Sequence, residues 1–115
     1  MVTSKFENGI VWLIVDGDLV AQEVLDEAEK WLPKIDTCLG FITDIRKMEN
    51  APIIEQKKLE AGRKVHNTGK PSAILIKDNA MASIVKIYIR FTKAEDSGYF
   101  TDIDKAIAWI RNYQQ

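Results

Sequence analysis

Hydrophobic and polar positions change period several times along the chain, and each change marks an element. Residues 2–7 and Ile10–Val15 read as two strands joined at Asn8-Gly9, a dipeptide that supplies the positive φ angles of a tight hairpin turn. The second strand, IVWLIV, is apolar on both faces, as expected of a strand inside a sheet. Asp16-Gly17-Asp18 ends it, with Asp18 placed to cap a helix. That helix, about Leu19 to Leu32, aligns Val20, Val24, Leu25, Ala28, Trp31 and Leu32 on one stripe, opposite Glu23, Asp26, Glu27 and Lys30. Pro33 stops it.

A third strand follows over Leu39–Ile45. Pro52 suits the first turn of the next helix, which turns Ile54, Ala61 and Val65 inward and ends near Asn67-Thr68-Gly69. SAILI, residues 72–76, is a fourth strand closed by Lys77-Asp78-Asn79. The next segment fits two periods. VKIYIRFT, residues 85–92, alternates like a half-exposed strand. Taken from Asn79, the same stretch puts Met81, Ile84, Val85, Tyr88 and Phe91 at helical spacing. Parallel strands need a crossover, so a helix over Asn79–Phe91 is the reading adopted. A short strand at Gly98–Phe100 then leads to a last helix, capped by Thr101, with Ile103, Ala106, Ile107 and Ile110 facing the core. The order is ββαβαβαβα: a single α/β domain with a mostly parallel five-stranded sheet and an N-terminal antiparallel hairpin.

Composition narrows the function classes. With 115 residues, 46% of them apolar and 29% charged, the chain has the make-up of one globular domain. A net charge of −1 gives no electrostatic reason to expect a nucleic-acid partner. The longest apolar run, Ile10–Val15, is too short to span a bilayer, and the amino terminus has no signal-peptide core, so a cytoplasmic protein without stable membrane insertion is expected. A lone cysteine, Cys38, excludes an internal disulfide and reads as a small buried hydrophobe. His66 is the single histidine, with no nucleophile or acid at triad spacing.

The Asn-Gly hairpin, FITDIR, KPSAILIKDN and GYFTDIDKAIAWI together resemble the STAS-like domains (sulfate transporter and anti-sigma factor antagonist), in particular small stand-alone bacterial members with no assigned function. The resemblance covers nearly the whole chain, and it implies a helix for Asn79–Phe91. It also implies a regulatory role exerted through a protein partner. Antagonists of this kind switch by phosphorylation of a Ser or Thr at the start of the helix after the third strand, where phosphate meets the positive end of a helix dipole. The matching stretch here, Lys47-Met48-Glu49-Asn50-Ala51-Pro52, contains no hydroxyl. The scaffold carries over and the phosphoswitch does not.

Candidate chemistry is sparse, and no catalytic residue, metal site or cofactor is expected. Asp16, Asp18, Asp44 and Asp78 end predicted strands, the edge where open α/β sheets bind ligands. Gathered together they would suit Mg²⁺ in a phosphate-handling domain, although capping and ordinary strand-end polarity explain them separately. Asp44 and Arg46 share a strand face, either as a local ion pair or as a polar anchor at the mouth of a groove. The apolar positions from Met81 to Phe91 span an arc of roughly 200°, wider than one sheet covers. The proposed binding set is therefore Asp44, Arg46, Asn79 and Met81, on a non-enzymatic interaction module whose partner is another protein or a second copy. A small apolar ligand, held beside the Asn79–Phe91 helix in a topology related to CRAL-TRIO lipid-exchange domains, is the alternative.

Overall fold

The computed structural model describes residues 1–65, 68–82 and 97–113. Five strands form one sheet in the order β1 (Val2–Glu7), β2 (Ile10–Asp18), β3 (Gly40–Asn50), β4 (Ser72–Leu75) and β5 (Ser97–Phe100). β1 and β2 are antiparallel across the hairpin, with Asn8 at φ 56° and Gly9 at φ 77°, and every other pair is parallel. Positive φ at both turn residues is what Asn-Gly tolerates and other dipeptides resist. The helices are α1 (Ala21–Glu29), α2 (Ile53–Val65) and α3 (Ile103–Asn112). Residues 79–82 are also helical, begun by Asp78, whose Oδ1 accepts the N–H groups of Ala80 and Met81 at 3.0 and 3.2 Å. The remainder of the expected Asn79–Phe91 helix lies outside the described residues.

Several boundaries differ from expectation for local reasons. β2 runs on through Asp18, which accepts a hydrogen bond from Asn50 Nδ2 at 2.7 Å instead of capping α1; Val20 occupies that cap position without a side-chain bond. α1 stops at Glu29, and Pro33 falls in the first turn of a 3-10 helix, Leu32–Thr37. β3 continues to Asn50 rather than stopping at Ile45. Asp102, not Thr101, caps α3, its carboxylate accepting from the N–H groups of Asp104 and Lys105.

Two cores flank the sheet. On one face Ile10, Trp12, Ile42, Ala73 and Leu75 pack under Ala106 and Ile110 of α3. That contact is tight: a Cβ on Gly40 would stand 2.7 Å from the Pro71 carbonyl and 2.8 Å from Ile110. On the other face Val11, Leu13, Val15, Ile45, Ile74 and Ile76 pack with Leu19 and Val24. Here α1 is pinned to β1, because Trp31 Nε1 donates to Ser4 Oγ at 2.9 Å and that hydroxyl donates to Glu27 at 2.6 Å. Phe6 stacks on Trp31 with ring centroids 5.9 Å apart. Buried Cys38 donates its thiol to the Gly40 carbonyl at 3.1 Å.

α2 is the exception. None of residues 53–63 is buried, and the helix takes its main support from α1 rather than from the sheet. The two helices approach at Gly62, where an added Cβ would meet Leu25 at 2.5 Å. Helix-on-helix contact of this kind holds α2 above the strands and leaves space beneath it.

Candidate functional site

The Asp44-Ile45-Arg46 stretch sits at an irregularity of β3. Between the Ile14–Asp44 and Asp16–Lys47 pairs, β2 advances two residues and β3 advances three. The extra residue forms a bulge, which takes a backbone N–H out of the ladder and re-aims the side chains beside it. Asp44 answers that directly. Its Oδ1 accepts the Arg46 backbone N–H at 3.0 Å and Arg46 Nε at 3.0 Å, while Oδ2 accepts Arg46 Nη2 at 2.8 Å. The Asp44 side chain is 12% exposed and that of Arg46 is 43% exposed. Burial by itself would push the Asp44 carboxyl up. The hydrogen bonds from Arg46, with the charges of Arg46 and Lys47, outweigh burial and hold it below its ordinary value. The same bonds raise the Arg46 guanidinium.

The other two expected site residues lie elsewhere. Asn79 is exposed at the start of its helical turn, beyond the carboxyl end of β4. Met81 packs into the core on the α1 face with Ile76 and Ala82, whereas Asp44, in phase with Ile42, points to the α3 face. Arg46 and Asn79 thus share the carboxyl edge of the sheet, and Met81 does not join them on one surface. Among the described residues, no three His, Cys, Asp or Glu side chains form a group that could hold a metal ion. No described helix is long and apolar enough to cross a membrane.

Two features of the α2 region were missed by sequence reasoning. At the carboxyl edge, Ile53 and Ile54 open α2 with 61% and 64% of their surface in water, so Ile54 does not face inward as expected, and Ala61 is exposed as well. Val20, also exposed, is brought to this edge by the Leu19 N–H, which donates to the Asn50 carbonyl at 2.8 Å. Beneath α2 lies a cavity of about 180 Å³. Its floor is Leu13, Val15, Phe41, Ile45 and Ile74, and its walls include Leu25, Ala28 and Leu59. Thr68, Lys70 and Ser72, on and just before β4, and Arg63 of α2 add polar groups to the lining, while Thr43 of β3 lies on the floor between Leu13 and Ile74. Glu29 on α1 and Gln56, whose Nε2 is spent on the Ala51 carbonyl at 2.7 Å, complete the polar lining. A signal for this was present: Thr43 interrupts the inward row Phe41, Thr43, Ile45 of a strand that should be apolar on both faces.

No family model matches the chain, and no curated protein matches it. Solved structures do. An anti-sigma factor antagonist from Mycobacterium paratuberculosis is similar with a TM-score of 0.72 at 12% identity, over 97% of this chain and 94% of that one. The anti-sigma factor antagonist SpoIIAA in its unphosphorylated form gives 0.63 at 9% identity, over 98% and 100%. An uncharacterised protein of the DUF3478 family with a SpoIIAA-like fold, from Shewanella loihica PV-4, gives 0.62 at 14% identity, over 96% and 92%. The chain has the STAS-like fold.

Proposed function

We propose that this domain is a non-enzymatic regulatory module that docks another protein, or a second copy of itself, at the carboxyl edge of its sheet. The observation that carries the reading is the exposed Ile53–Ile54 pair on the first turn of α2. Adjacent isoleucines held in water on an ordered helix serve no internal packing, and apolar surface rimmed by polar groups marks interaction sites. Arg46 and Asn79 supply such polar groups at the same edge, with Asp44 holding Arg46 in place. The fold agrees with this use, since two of the similar structures are anti-sigma factor antagonists. Where the resemblance puts a phosphorylatable hydroxyl, this chain carries Lys47–Pro52 and then the isoleucines, so the edge works here without that switch.

The test is a pull-down from the native host with the wild-type chain and an Ile53→Glu/Ile54→Glu variant, alongside sedimentation of each protein alone. The variant should melt within about 0.5 kcal/mol of wild type, because both side chains are exposed, and should lose the captured partner or the self-association. A partner retained equally by the folded variant would move the docking surface elsewhere on the domain.

A further inference from the structure

The cavity under α2 has the make-up of a binding site rather than of a packing defect. Packing defects in cores are small and wholly apolar. This one is mainly apolar, lined by aliphatic and aromatic side chains from β2, β3, β4 and α1, yet it carries polar groups where the chain enters β4, at Thr68, Lys70 and Ser72. Phe41, on a central strand where full burial is the rule, remains partly exposed because the space above it is not filled. The lining also includes one carboxylate, Glu29, the last residue of α1.

Volume selects the ligand class. At about 180 Å³ the space slightly exceeds the ~150 Å³ engineered cavity that takes up benzene. It falls short of the ~300–1,000 Å³ of ordinary ligand pockets. A ring or a short branched chain fits; a lipid tail does not. Charge selects the head group, since Lys70 with the hydroxyls of Thr68 and Ser72 favours an anion able to accept several hydrogen bonds. We infer that the cavity between α2 and strands β2 to β4 binds a small carboxylate with a compact apolar body, its carboxylate toward Lys70. This site stands independently of the docking edge proposed above.

Amide NMR titration of the full chain tests it, with benzoate as the probe and benzylamine and hexadecanoate as controls. Benzoate should bind saturably and shift the amides of Thr43, Ser72 and Ile74, while benzylamine leaves them unmoved over the same range. Lys70→Gln should weaken benzoate about tenfold, the loss of one charge-assisted contact. Ala28→Phe, which places a ring in the cavity, should abolish binding. If Ala28→Phe fails to fold, Lys70→Gln still decides, because an unchanged benzoate affinity there overturns the assignment. Benzylamine binding as tightly as benzoate, displacement of benzoate by hexadecanoate, or no saturable benzoate binding at all would each overturn it too.

Discussion

A carboxylate removed from water stays ionised only where donors replace the water it lost. Asp44 meets that requirement with three donors from a single residue, Arg46, and one of the three is the backbone N–H that the bulge leaves outside the ladder. An exposed ion pair of this kind would contribute about 0–1 kcal/mol. With Asp44 largely buried, removing its partner strands a charged acceptor, so Arg46→Ala should cost about 1–3 kcal/mol in urea melts. Arg46→Lys should recover only part of that, because an ammonium cannot make the two parallel contacts of the fork. The pH dependence has a definite sign. The folded-state value of Asp44 is depressed, so the folded chain binds fewer protons than the unfolded one as the carboxyl titrates. The pair's contribution is therefore complete above the unfolded value of about 4 and is lost as pH falls through the lower folded value. Asp44→Asn should be less stable than wild type at pH 7, and the gap should narrow steadily below pH ~4. A gap independent of pH would mean that the carboxylate is not what holds the bulge.

The helices differ in how they are held, and that difference should be measurable. α3 has Ala106 and Ile110 buried against the sheet and a carboxylate cap at Asp102, whereas α2 has no buried residue over 53–63 and rests on α1. Amides of α2 should exchange with solvent faster than those of α3, since local opening follows the apolar contacts that an element makes. Asp102→Ala should cost about 0.5–2 kcal/mol by removing the acceptor of two otherwise unpaired N–H groups. The existence of α1 and α3 was legible from period alone, because Val24 and Ala28 on α1 and Ile103, Ala106 and Ile110 on α3 repeat at helical spacing. Their ends were not. Thr101 and Asp102 are both cap-forming residue types, Asp the better of the two, and the backbone turn into α3 places the cap at Asp102. Asp18 has the right chemistry to cap α1, yet the longer β3 brings Asn50 beside it and its carboxylate goes there instead.

At the scale of the molecule the two sides of the sheet are built differently, and only one side could be anticipated. The hairpin, the interior place of β2 and the α3 face follow from Asn8-Gly9, from the doubly apolar IVWLIV and from a stripe that matches the strands beneath it. The space under α2 follows from none of these. It arises because α2 leans on α1 through Gly62 and Leu25, a long-range contact that no local pattern reports. The asymmetry has an energetic consequence. Ile42 is fully buried between the β-strands and α3, so truncation leaves a new void in a close-packed layer, and Ile42→Ala should cost about 2–5 kcal/mol. Leu59 on α2 is partly exposed and already faces the cavity, so shortening it forfeits fewer contacts and enlarges a space that exists in any case. Leu59→Ala should therefore fall below that range, near 1 kcal/mol. Equal losses for the two variants in denaturant melts would show that α2 closes onto the sheet in solution, and the cavity that sets this face apart would not be there to bind anything.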